Sequence, residues 1–184
     1  MNKSNIEKIS LARPVVLLGM MGAGKTSVGR ALGDLLAVPF FDADTEIEKA
    51  AGRSVASIFT DYGEAEFRRL ERQVIARLLQ SDICVLSLGG GAFVDPETRQ
   101  RIKSAALSVW LKVDHGLLLA RVLRHGSRPM LKDDPQEKMK RLLAEREPIY
   151  AEADLTVLCD DRPVPQTARR VRDAIQAVPE SQIH

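Results

Sequence analysis

Gly19-Met20-Met21-Gly22-Ala23-Gly24-Lys25-Thr26 satisfies the pattern G-x-x-x-x-G-K-[ST] at every fixed position. The glycines let successive backbone N–H groups turn inward around a phosphate with no Cβ in the way. Lys25 then reaches the outer phosphates of a nucleoside triphosphate, and the Thr26 hydroxyl can ligate Mg²⁺. A second group with chemical potential is Phe41-Asp42-Ala43-Asp44. On an extended segment, carboxylates two residues apart point the same way. In a phosphoryl-transfer site one can hold Mg²⁺ through water while the other orients or deprotonates an attacking hydroxyl. Helix capping by Asp44, ahead of Thr45-Glu46-Ile47-Glu48, accounts for one of the two carboxylates but not for the other.

A third group is Gly89-Gly90-Gly91, which follows the apolar run ending Leu86-Ser87-Leu88. No acidic residue stands at the end of that run, where motor ATPases and switch GTPases place one, and there is no Asn-Lys-x-Asp guanine-reading motif. Glycines at the carboxyl end of a strand let the backbone approach a ligand closely, although a tight turn needs one or two of them as well. Projecting Glu64 to Gln80 at about 100° per residue gives an apolar arc of Phe67, Leu70, Val74, Ile75, Leu78 and Leu79. Glu71 falls near the centre of this arc and Arg68 toward its edge, while Arg146 projects between Met139 and Leu142 on a helix from Gln136 to Glu147. A structural Arg–Glu bridge explains the first pair. Two inward-facing arginines on separate helices suit a small carboxylate-bearing substrate, because guanidinium forks bind carboxylates bidentately.

The elements that must position these groups are readable from the alternation of β-rich and helical runs. Strands are expected at Pro14 to Gly19, Pro39 to Asp42, Cys84 to Leu88, Leu107 to Val113 and Leu155 to Cys159. With helices between them they imply an α/β fold, a five-stranded parallel sheet covered on both faces. Val28, Ala31, Leu32, Leu35 and Leu36 recur at helical spacing after the glycine-rich loop, so a helix N-terminus faces the phosphates. The 184 residues, 45% of them apolar, form a single domain, 1–184, with the ends 1–10 and 179–184 expected to fray. The irregular stretch 125–134 reads as a mobile lid.

A balance of 27 basic against 25 acidic residues, with no basic run, argues against nucleic acid as a partner. Cys84 and Cys159 lie far apart, without metal-ligand spacing to His115, His125 or His184, and are expected to be buried and reduced. No stretch is long and apolar enough for a membrane span or a signal segment, so a cytoplasmic location with no membrane contact is expected.

Taken in order, these groups, with Phe67-Arg68-Arg69-Leu70-Glu71, Arg128-Pro129-Met130-Leu131 and Glu145-Arg146-Glu147-Pro148-Ile149-Tyr150, resemble the shikimate kinases. The resemblance runs from Val15 to about Val171. It implies a P-loop kinase fold of the nucleoside-monophosphate-kinase type, with a substrate-binding segment at 44–80 and the lid. It implies Mg²⁺-dependent transfer of the γ-phosphoryl group of ATP to the 3-hydroxyl of shikimate, in aromatic amino-acid synthesis, by a monomer.

Carried over by position, Lys25, Asp44 and Arg128 are the implied catalytic residues. Asp44, Phe59, Phe67, Arg68, Glu71, Gly89, Gly90, Gly91 and Arg146 are the implied acceptor site. The implied nucleotide contacts are Gly22, Ala23, Gly24, Lys25, Thr26, Ser27, Arg124, Arg128, Arg162 and Pro165, and the implied metal site is Thr26 with Asp42. Met130, where the family commonly has Leu, conserves volume. The short lid and the second proline of Asp160-Asp161-Arg162-Pro163-Val164-Pro165 depart from the family pattern. Two other readings stay open: a gluconate or nucleotide kinase on the same scaffold, and a nucleotide-binding regulator without catalysis.

Overall fold

The computed structural model describes residues 11–124 and 134–179. Five strands form one parallel sheet: β1 (Val15–Leu18), β2 (Phe40–Asp42), β3 (Val85–Ser87), β4 (Leu107–Val113) and β5 (Leu155–Cys159). Their order across the sheet is β2-β3-β1-β4-β5. Every residue of β1 and β3 is buried, Ser87 included, as strands inside a parallel sheet are when both faces are covered. The expected strands are all present; the first three are shorter than expected and the last two have the expected ends.

Seven helices flank the sheet among the described residues: α1 (Lys25–Leu36), α2 (Ala43–Ala51), α3 (Val55–Leu79), α4 (Pro96–Ala105), α5 (His115–Arg124), α6 (Pro135–Tyr150) and α7 (Val164–Gln176). α1 lies against α7, and α3 against α4. Val28, Leu32 and Leu36 supply the buried stripe of α1, with Ala31 and Leu35 at its half-buried edge. α3 breaks at Gly63, whose φ of 81° and ψ of 175° are not helical, so its second limb starts at Glu64 as the periodicity predicts. α6 runs one turn beyond its expected end and carries Pro148 within it.

The strand order places the functional cleft. From β1 the chain moves outward to β2 on one side and, later, to β4 and β5 on the other. This reversal opens a crevice at the carboxyl ends of the strands. The glycine-rich loop leaves β1 there, Asp42 ends β2 there, and the three-glycine strap leaves β3 there.

Candidate functional site

A cleft of about 690 Å³ opens at that edge. One half is built from backbone. Gly22 and Gly24 adopt φ of 80° and 85°, and Gly24 caps the N-terminus of α1 in this left-handed conformation. The first amide groups of α1 lack intrahelical acceptors, and their partial positive charge faces the loop. Lys25 folds back along the loop, its Nζ donating to the carbonyls of Gly19 and Met20 at 2.9 Å each. The Thr26 hydroxyl donates to Asp42 Oδ2 at 2.7 Å. Gly22, Ala23, Gly24, Lys25, Thr26 and Ser27 all line this half.

Asp42 and Asp44 are not a pair on one extended segment. β2 ends at Asp42, whose side chain accepts from the amide of Thr45 and caps α2, so Asp44 already lies in the first turn of that helix. The cap is therefore Asp42 and not Asp44, because a capping residue keeps extended dihedrals while its carboxylate meets the third residue beyond. Both carboxylates still line the cleft. Asp42 stands beside Thr26, and Asp44 stands against the strap, where a Cβ placed on Gly89 would lie 3.0 Å from its Oδ1.

The other half is built from side chains that converge on the strap. Glu71, 1% exposed, receives Arg68 Nη1 on its Oε2 at 2.6 Å, while its buried Oε1 has no partner and faces Gly89. Burial pushes the Glu71 carboxyl above the usual carboxylate range, against the pull of the Arg68 guanidinium. Arg68 also donates to Glu64, and its guanidinium lies against Gly91. A Cβ there would come within 2.5 Å of Nη2, so a side chain at this position would displace the arginine. Arg146 Nη1 donates to the carbonyl of Gly90 at 3.2 Å. Phe67 is buried and packs its ring on Phe59, with centroids 4.5 Å apart. The structure thus brings Asp44, Phe59, Phe67, Arg68, Glu71, Gly89, Gly90, Gly91 and Arg146 together in one cleft.

Beyond the P-loop, Arg124 and Arg162 also line the cleft, whereas Pro165 is not among its lining residues. α7 starts at Val164 with Pro163 as its cap, which puts Pro165 inside the first helical turn, where a missing N–H costs nothing. Pro163 and Val164 face the cleft instead. Sequence reasoning missed Arg121. Its Nη1 donates to Gly22 O at 3.4 Å and its Nη2 to Asp160 O at 2.8 Å, which ties the P-loop to the loop after β5. The available signal was its position beside Val122, on the flank of the buried Leu118–Val122 stripe of α5. Arg128 and the lid positions 125–133 lie outside the described residues, as do 1–10 and 180–184. Asp134, at the far end of the expected lid, caps α6.

Cys84 and Cys159 are buried free thiols, each pushed up to about 11 by burial. No described helix is long and apolar enough to cross a membrane.

Residues 21–176 match the shikimate kinase family. A shikimate kinase of Bradyrhizobium diazoefficiens is 52% identical over 153 residues, covering 83% of this chain and 74% of the relative. One of Novosphingobium aromaticivorans is 48% identical over 182 residues, covering 95% and 94%. The solved structure of shikimate kinase from Acinetobacter baumannii in complex with shikimate superposes with a TM-score of 0.86 at 35% identity, covering 91% of this chain and 94% of that one. By its sheet, its P-loop and these matches, the chain belongs to the shikimate kinase family of ATP-dependent kinases.

Proposed function

We propose that the chain transfers the γ-phosphoryl group of ATP to the 3-hydroxyl of shikimate, giving shikimate 3-phosphate and ADP. The observation that carries this reading is the placing of two guanidinium groups, Arg68 and Arg146, on one glycine strap that shares a cleft with a P-loop. Arg68 and Arg146 grip the acceptor's carboxylate in this reading, each as a planar fork. Asp44 orients or deprotonates the acceptor hydroxyl from the first turn of α2, where its carboxylate lies against Gly89 of the strap. Glu71 fixes Arg68, and its unpartnered Oε1 is an acceptor for a substrate hydroxyl.

On the nucleotide side, Lys25 leaves the Gly19 and Met20 carbonyls to meet the β- and γ-phosphates, and Arg128, which lies outside the described residues, supplies the charge that neutralises the developing negative charge. Phe59, 39% exposed, and Phe67 supply the apolar wall. A hydroxyl beside a carboxylate at the phosphate end is a hard oxygen set of the kind Mg²⁺ takes together with nucleotide phosphates. Thr26 would hold Mg²⁺ directly and Asp42 through water; the ion, when bound, neutralises phosphate charge.

The test is ADP release in Mg²⁺ and ATP, with shikimate, gluconate or a nucleoside monophosphate as sole acceptor. Turnover confined to shikimate is expected. Faster turnover of either alternative would overturn the acceptor assignment, and binding of ATP without turnover of any acceptor would favour a non-catalytic regulator.

A further inference from the structure

Tyr150, the last residue of α6, has no part in the reading above, yet its hydroxyl reaches the glycine strap from behind. It is 1% exposed, its ring tilts against that of Trp110 at 6.0 Å, and its hydroxyl donates to the carbonyl of Gly90. The same oxygen lies 3.8 Å from Met20 Sδ in the P-loop. Arg146 stands one helical turn earlier, on the same face of α6, and donates to the same Gly90 carbonyl. The middle glycine of the strap is therefore held by two donors from one helix. Behind it, a Cβ on Gly90 would lie 3.8 Å from both Gly19 O and Met21 N, so the strap is also backed by the P-loop.

We infer that Tyr150 is a positioning residue for the acceptor site. By fixing the Gly90 carbonyl between α6 and the P-loop, it sets where Arg146 is anchored and so where its remaining N–H donors point. An arginine has five such donors, and one bond to Gly90 leaves others for a carboxylate. Burial keeps the phenol protonated to higher pH than usual, against the pull of the Arg146 guanidinium, so it remains a donor across the working range.

This inference rests on shikimate as the acceptor. Its test is Tyr150→Phe, which keeps the ring and removes only the hydroxyl, measured with Arg146→Lys and the double variant. The KM for shikimate should rise about five-fold in Tyr150→Phe, as expected for one lost hydrogen bond, with the KM for ATP unchanged. The double variant should lose less than the product of the two single effects, because both residues act through Gly90. An unchanged shikimate KM, an equal rise in both KM values, independent multiplication of the two effects, or a variant too unstable to assay would each overturn it, the last by making Tyr150 a residue of the core alone. Calorimetric titration of the wild-type protein with shikimate separates the two levels. No binding overturns the acceptor assignment itself, whereas binding with an unaffected Tyr150→Phe overturns only the role of Tyr150.

Discussion

The two halves of the cleft are made in different ways. In the proposed reading the nucleotide half is a contiguous run in which Gly22, Gly24 and the start of α1 present backbone amides, so recognition of phosphate there depends on local conformation. The proposed acceptor half has no such run. Asp44 comes from α2, Arg68 and Glu71 from α3, the strap from the end of β3, and Arg146 from α6, and they meet only because the sheet brings those elements to one edge. A triphosphate can be held by a loop, whereas a small carboxylated acceptor has to be held by a fold. Damage to the first half should therefore appear in turnover, and damage to the second in acceptor affinity.

The largest expected effect lies in the nucleotide half. Lys25→Ala should lower kcat about 10²- to 10³-fold, the scale for losing one preorganised charge at a reacting group, with the thermal melt little changed. Near-normal turnover would remove Lys25 from the chemistry. Next is Arg146→Lys, which should raise the KM for shikimate about ten-fold, since a point ammonium cannot reproduce a fork. The KM for ATP should stay where it was; a shift in both would mean that the halves are not separable.

The smallest effect is on stability and concerns Glu71. Its folded carboxyl titrates above the ordinary value of 4.5, chiefly because of burial. The native state thus holds a proton that the unfolded chain has already released, and stability is lost as pH rises from the unfolded value through the folded one. Thermal melts of the wild-type protein and Glu71→Gln between about pH 4 and pH 7 should show the wild type losing ground to the variant as pH rises. The opposite slope would mean that the pairing with Arg68 outweighs burial.

The same contrast explains what could be read from the sequence. The P-loop and the strands Leu107–Val113 and Leu155–Cys159 were legible because each is specified locally, by spacing or by a short run rich in β-branched and apolar residues. Glu71 was legible as a buried charge because helical periodicity placed it among apolar neighbours before any contact was known. The relation of Asp42 to Asp44 was not, because a strand end and a helix start one residue apart turn a parallel pair of carboxylates into a cap and a first-turn residue. Arg121 escaped as well. Its hydrogen-bond acceptors are the carbonyls of Gly22 and Asp160, which leave no trace in residue type, and its ion-pair partner Asp161 is forty residues away in the sequence. The start of α7 was not legible either, so Pro165, read as part of the preceding loop, lies in the first turn of that helix.

The most direct test of an acceptor site built on the strap is Gly91→Ala. Gly91 has a φ of −98°, which any residue can adopt, so the backbone tolerates alanine. The added methyl would nevertheless lie 2.5 Å, 2.9 Å and 3.0 Å from Nη2, Nη1 and Cζ of Arg68, and the guanidinium must give way. Steady-state kinetics should show a KM for shikimate raised about ten-fold, or 1.4 kcal/mol, beside an unaltered KM for ATP. An unaltered KM for shikimate in a folded Gly91→Ala protein would contradict the account, because Arg68 would then be free to move without consequence for the acceptor.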